Sequence, residues 1–83
     1  MTENENWIPI DERLPEVDEK GWSRLILISS SNYSRPTIGT YYQEKDGSGT
    51  FLDSDYLTPL KNKGIIVNAW MALPRNYSEG EEE

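Results

Sequence analysis

Apolar and β-branched residues occur along this chain in short runs of strand length, separated by polar segments that contain Gly or Pro. The clearest run is Leu25 to Ile28, an unbroken apolar stretch typical of a strand covered on both faces. A second strand, rich in Thr, Ile and Tyr, follows Pro36, and a final one ends at Pro74. The pattern predicts strands at residues 24–30, 37–43, 50–52 and 65–73.

The connections between these strands carry turn signals. Asp46-Gly47 predicts a tight hairpin tip within residues 45–49, because glycine tolerates the positive backbone angles that such turns require. Gly39, inside a predicted strand, indicates a bulge or close packing against a large ring. The stretch from Asp53 to Gly64 is turn-rich, and we expect one helical turn within it.

The N-terminal segment begins with an extended stretch, Trp7 to Ile10. Pro9 lacks an N–H donor, so this stretch fits an edge strand or an irregular crossing rather than a central strand. Asp11 can cap a single helical turn that runs through Leu14 and ends at Pro15.

Together these elements predict an α+β, mostly β fold: a small antiparallel sheet of three to five strands, crossed by the N-terminal segment, with at most short helical turns. Residues 7–75 form one predicted domain, and residues 1–6 and 76–83 are acidic tails expected to be disordered. Trp7 and Trp70, near opposite ends, are expected to lie in the same core. The whole predicted core motif is Trp7, Ile8, Ile10, Leu14, Trp70, Met71 and Leu73.

The amino-acid composition excludes several kinds of functional site. The chain has 83 residues and a net charge of -7, yet residues 7–75 carry nine acidic and eight basic side chains, so the acidity is largely terminal. There is no Cys and no His, which argues against a structural zinc site, a transition-metal site or a cysteine nucleophile, and we expect no cofactor. No apolar run approaches the roughly 20 residues needed to span a bilayer, so we expect a cytoplasmic protein.

The candidate catalytic motifs are weak, and we do not expect an enzyme. Asp53 and Asp55 form a close carboxylate pair, but they lack the further oxygen ligands of a calcium loop, which favours a solvated turn. Gly47-Ser48-Gly49 lacks the Lys and the following helix of a phosphate-binding loop. The serines at positions 29–31 have no His to activate them.

The tyrosines are better candidates for binding, because Tyr offers a large apolar area with a polar tip. Tyr41 and Tyr42 are adjacent in a predicted strand and should point to opposite faces, one into the core and one to the surface. The predicted interface residues are Tyr41, Tyr42, Asp53, Asp55 and Tyr56.

The motif W-I-x-I-x-E-R-L-P at residues 7–15 and the motif W-M-x-L-P at residues 70–74 resemble the two signatures of the domain-of-unknown-function family 551. The run Leu25 to Ile28 fits the strand between them. The resemblance implies a phage or prophage protein in the host cytoplasm and implies no activity. Ala69 stands where the family usually has His and Ala72 where it usually has Pro. If that His has a function in the family, this chain has lost it; if the position is only structural, Ala fills it.

We therefore expect a non-enzymatic interaction protein that binds a host or phage protein, an inhibitor of a host defence system being one such role. An acidic mimic of nucleic acid is an alternative, based on the clusters at residues 11–19 and 44–55. A small-molecule binder with an aromatic pocket is a second alternative. Direct binding to nucleic acid is not expected without a basic stripe, nor is binding to a membrane. The sequence does not decide whether the chain also forms a homodimer through an exposed edge of the sheet.

Overall fold

The computed structural model describes residues 6–74 and contains one five-stranded antiparallel sheet. The strands are β1 (Ile8–Pro9), β2 (Ile26–Ser30), β3 (Thr37–Gln43), β4 (Gly49–Asp53) and β5 (Val67–Ala72). Their order across the sheet is β1-β5-β2-β3-β4. A short 3-10 helix, Leu60–Lys63, precedes β5. The predicted mostly-β antiparallel fold, with only a short helical turn, is confirmed.

The β3–β4 hairpin forms where the sequence predicts it. The backbone N–H of Glu44 donates to the carbonyl of Ser48, and Gly47 has a φ of 95°, which glycine adopts without steric cost. The Asp46 carboxylate accepts bonds from the backbone N–H and the hydroxyl of Ser48. The tip is thus held by its own side chains, as is usual for Asp in turns.

The two ends of the chain meet at one edge of the sheet. Ile8 lies opposite Trp70 and Pro9 opposite Ala69 in the antiparallel pair β1–β5. The N–H of Ile10 donates to the carbonyl of Asn68, and N–H groups alternate in direction along a strand, so the nitrogen of Pro9 points away from β5 and costs the sheet no hydrogen bond. The predicted edge position of Pro9 is confirmed. The backbone makes a single turn at residues 10–12, in which the N–H groups of Glu12 and Arg13 donate to the Pro9 carbonyl. This turn begins earlier than the predicted one, which runs from Asp11 through Leu14.

One face of the sheet carries the core. Ile26, Ile28, Tyr41 and Trp70 are buried on it, together with Leu60 and Ile65 from the segment before β5. The partly buried side chains packed against this core are Ile8, Ile10, Val17, Phe51 and Val67. The N-terminal segment therefore contributes side chains to the same core as the 3-10 helix.

Part of the predicted core motif is wrong. Trp7 is only half-buried and lines a groove with Pro9 and Ala69, whereas its neighbour Ile8 lies opposite Trp70. Adjacent residues of an extended segment point to opposite faces, so Trp7 cannot share the core face with Ile8. Leu14 is 41% exposed and does not belong to the core. Met71 is half-buried on the face opposite the core, where it pairs with Leu27, because its neighbour Trp70 points into the core. Leu73 is half-buried.

Two further expectations are corrected. Leu25 is 52% exposed, so the apolar run that begins there is not covered on both faces. Gly39 sits in continuous register with β2 and β4, without a bulge. A Cβ at this position would collide with the carbonyl oxygen of Leu52 and lie 3.0 Å from Cδ1 of Ile28. Close packing is thus confirmed, but against a neighbouring backbone rather than a large ring.

The predicted acidic tails, residues 1–6 and 76–83, lie outside the described residues except for Asn6, which is exposed. Within residues 6–74, no helix is long and apolar enough to cross a membrane.

Candidate functional site

A row of apolar side chains crosses three adjacent strands on the face of the sheet that points away from the core. Leu27 in β2 pairs with Met71 in β5 on one side and with Ile38 in β3 on the other. Ile38 is 46% exposed, and Leu27 and Met71 are half-buried. We call the surface formed by Leu27, Ile38 and Met71 the uncovered face.

The tyrosine pair divides between the two faces as predicted. Tyr41 is 3% exposed, lies opposite Phe51 in β4, and its ring centroid is 4.8 Å from that of Phe51. Tyr42 is half-buried, and its ring centroid is 4.6 Å from that of Trp22. Tyr41 is therefore a core residue and is withdrawn as an interface candidate. Tyr42 remains one, on the same side of the sheet as the uncovered face.

Asp53 has a structural role that the sequence does not reveal. Its residue surface is 4% exposed, its Oδ2 pairs with the ammonium group of Lys63, and its Oδ1 accepts the backbone N–H groups of Tyr56 and Thr58. The Lys63 ammonium, followed by the Tyr56 N–H, lowers the pKa of Asp53 from 3.8 to about 2. The predicted solvated turn is wrong at this residue, because the carboxylate is enclosed by the loop that it organises.

The loop that Asp53 organises displays the other two predicted interface residues. Asp55 is exposed, and Tyr56 is 87% exposed. Leu57 follows with a φ of 56°, a left-handed conformation that L-residues rarely adopt. The bonds from Tyr56 and Thr58 to Asp53 bracket this residue and hold the loop in shape. Asp55 and Tyr56 are thus accessible on a loop, apart from the strands of the uncovered face.

The carboxylates of Asp18 and Asp46 are hydrogen-bonded within turns. Asp18 accepts the backbone N–H groups of Lys20 and Trp22, and the bond from Trp22 is the main cause of its lowered pKa. The two bonds from Ser48 likewise lower the pKa of Asp46. Both belong to the clusters on which an acidic mimic would depend. Among residues 6–74, no group of three or more acidic side chains is placed to hold a metal ion.

Two grooves accompany the sheet. The Trp70 groove, about 760 Å³, lies beside the ends of β2 and β5 and is lined by Arg13, Asp18, Trp22, Arg24, Leu25 and Trp70 among others. The Trp7 groove, about 630 Å³, is lined by Trp7, Ser29, Tyr33, Arg35, Asn68 and Ala69 among others. Ala69, the position where the resembling family usually has His, therefore faces the Trp7 groove rather than the core.

Neither the uncovered face nor the Trp7 groove was predicted from the sequence. Ile38 lies in a strand, residues 37–43, that does not alternate regularly between apolar and polar residues, so its exposure has no clear local signal. The pairing of Leu27 with both Ile38 and Met71 has no local signal, since it depends on the register between distant segments. Arg35 lies in a serine-rich connection whose sequence predicts only a polar turn.

No family model, no curated protein and no solved structure matches this chain. The resemblance of its two tryptophan motifs to the domain-of-unknown-function family 551 stays a prediction.

Proposed function

We propose that this protein is a non-enzymatic interaction protein that binds a protein partner through the uncovered face. The observation that carries the proposal is the apolar row Met71–Leu27–Ile38, which continues across three hydrogen-bonded strands and remains partly exposed to solvent. Apolar side chains that form a contiguous accessible patch, rather than single scattered residues, are typical of protein interaction sites.

The chemistry of the partner follows from the strands that form this face. The segments β2, β3 and β5 contain no charged residue. Contact with a charged partner surface would leave the partner's charges desolvated and unpaired, which is costly. The proposed partner therefore presents a neutral, apolar surface, and binding should depend little on salt because burial of apolar area carries it.

The acidic-mimic alternative has less support. Of the acidic residues in its two proposed clusters, Asp18 and Asp46 are bonded to backbone within turns, and Asp53 is enclosed and paired with Lys63. Their positions are set by the local backbone, so they need no ligand-binding role to account for them. The resemblance to a phage family supports a setting in which the partner is a host or phage protein, including a component of a host defence system.

A matched pair of variants tests the proposal. Ile38→Lys introduces a charge into the uncovered face, whereas Ile66→Lys makes the same change at a 61% exposed isoleucine just before β5. The partner is captured from host lysate with the parent chain and identified, and its affinity for each variant is measured at low and high salt. We expect Ile38→Lys to weaken binding about tenfold or more and Ile66→Lys to leave it unchanged.

Three results would count against the proposal. Equal binding by Ile38→Lys would place the interface elsewhere. A steep loss of affinity at high salt, together with a loss on Asp55→Lys, would favour the acidic mimic. Sedimentation showing a dimer that Ile38→Lys dissociates, with no other protein captured, would assign the uncovered face to a second copy of this chain.

A further inference from the structure

The Trp7 groove is built from four parts of the chain. Trp7 and Pro9 come from the N-terminal segment, Ser29 and Ser30 from the end of β2, residues 33–36 from the β2–β3 connection, and Asn68 with Ala69 from β5. Its volume of about 630 Å³ falls within the range of roughly 300–1,000 Å³ typical of small-ligand sites. The groove is therefore large enough for a compact organic molecule.

The charge of the groove differs from that of the chain. Of the described residues that line it, Arg35 is the only charged one, in a protein with a net charge of -7. Arg35 is exposed and forms no ion pair within residues 6–74. A guanidinium without a carboxylate partner retains its full capacity for two parallel hydrogen bonds to an anion.

Two aromatic rings, several neutral hydrogen-bonding side chains, two prolines and Ala69 supply the rest of the lining. Trp7 is half-buried and Tyr33 is 53% exposed, so both rings have accessible surface. Ser29, Ser34 and Asn68 add hydroxyl and amide groups. Flat rings beside a cation and neutral donors suit a ligand that is planar at one end and anionic at the other.

The loop that carries Tyr33 and Arg35 is anchored to the body of the protein. The side-chain amide of Asn32 donates to the carbonyl of Gly64 at 2.6 Å and accepts the backbone N–H of Ile66 at 3.0 Å. The backbone N–H of Ser31 also donates to the carbonyl of Ile66. These bonds hold the start of the connection in place in the free protein. A ligand therefore has to order less of the loop, which reduces the entropy lost on binding.

We propose that the Trp7 groove binds a nucleoside monophosphate, with the phosphate on Arg35 and the base against the accessible rings of Trp7 or Tyr33. A single arginine with no basic stripe suits one phosphate group rather than a nucleic-acid strand. The groove adjoins the proposed protein interface on the same face of the sheet, since Ser29 and Ala69 lie two residues from Leu27 and Met71 along β2 and β5. No residue of the uncovered face lines the groove, so different variants test the two proposals.

An NMR titration of the isotope-labelled chain tests this, in low-salt buffer without phosphate. The probes are AMP, CMP, adenosine and inorganic phosphate. We expect AMP and CMP to shift backbone amides of residues 29–35 and 68–69 but not those of residues 16–18, which border the Trp70 groove. Adenosine and phosphate alone should each bind about tenfold or more weakly than AMP, because each lacks one of the two contacts.

Variants separate this site from general attraction of anions. Arg35→Ala should weaken AMP binding about tenfold or more, and Tyr33→Ser about twofold or more. Arg24→Ala is the matched control, since Arg24 is also exposed but lines the Trp70 groove, and it should not change AMP affinity. The dispersion of amide signals reports whether each variant is folded.

Other outcomes overturn the proposal. No shift with either nucleotide at millimolar concentration would remove the site. Equal losses in Arg35→Ala and Arg24→Ala would show diffuse attraction of anions rather than a site. Shifts at residues 29–35 with an acidic peptide and none with AMP would make the groove part of a protein interface.

Discussion

The indole Nε1 of Trp70 donates a hydrogen bond of 3.0 Å to the backbone carbonyl of Arg13, which lies 57 positions earlier in the chain. The guanidinium of Arg13 also lies 5.6 Å from the centroid of the Trp70 ring, within the range of a cation–π contact. The two terminal motifs are thus joined by direct contact. The Arg13 side chain lies over the indole ring, and the indole N–H is hydrogen-bonded to the Arg13 backbone carbonyl.

The two motif tryptophans should differ in their contribution to stability. Trp70 is 8% exposed in the core, so Trp70→Ala should lower the free energy of unfolding by about 3–5 kcal/mol. Trp7 is half-buried outside that core, and Trp7→Ala should cost about 1–2 kcal/mol. Urea unfolding followed by far-UV circular dichroism measures both. Equal losses would mean that both rings support the same core.

The carboxylate of Asp53 should make the protein sensitive to acid. Because its folded pKa of about 2 lies below the usual 3.8, its ionised form stabilises the fold above about pH 4, and this contribution disappears as the pH falls toward 2. Asp53→Asn should remove that part of the pH dependence and destabilise the protein at pH 7. Thermal unfolding from pH 2 to pH 7 measures the effect.

Asp55→Asn is the control for this experiment, because Asp55 is exposed on the same loop and the described ion pair of Lys63 is with Asp53. It should leave the pH profile close to that of the parent. A parent-like profile in Asp53→Asn would show that the pair with Lys63 contributes nothing to stability. Charge reversal at Asp53 is unsuitable as a test of the acidic mimic, since it would damage the fold itself.

Gly39 should be intolerant of any side chain. A Cβ there would collide with the backbone carbonyl of Leu52, which cannot move without disturbing the β3–β4 pairing. We expect Gly39→Ala to cost about 1–3 kcal/mol, measured as a lower urea midpoint. Gly47→Asn is the comparison, since no atom lies within 4 Å of a Cβ there and Asn tolerates a positive φ. A neutral Gly39→Ala would refute the steric argument.

Tyr42 should contribute to partner binding while Tyr56 should not. Tyr42→Ser removes a half-buried ring on the side of the uncovered face and should weaken binding by about 1–3 kcal/mol. The fold should survive, because the lost contact with Trp22 is worth only about 0.5–1.5 kcal/mol beyond the buried area. Tyr56→Ser changes a more exposed ring on a separate loop. Calorimetric titration with the identified partner compares them, and a larger loss with Tyr56→Ser would move the interface to that loop.

The local elements of this protein could be predicted from its sequence. The β3 strand follows from its β-branched and aromatic residues, the hairpin tip from Asp46-Gly47, and the edge position of Pro9 from its missing N–H. The division of Tyr41 and Tyr42 between two faces follows from the alternation of a strand. Each depends on residues only a few positions apart, whose preferences act within the segment itself.

The tertiary structure alone decided which residues share a face. Trp70 pairs with Ile8 rather than Trp7 because of the β1–β5 register, and Leu27 meets both Ile38 and Met71 because β2 lies between β3 and β5. The enclosure of Asp53 likewise depends on Lys63 in the 3-10 helix. A shift of one residue in any register would reverse the faces, and registers are selected by burial summed over the whole sheet. The uncovered face and the Trp7 groove therefore exist only once distant segments have paired.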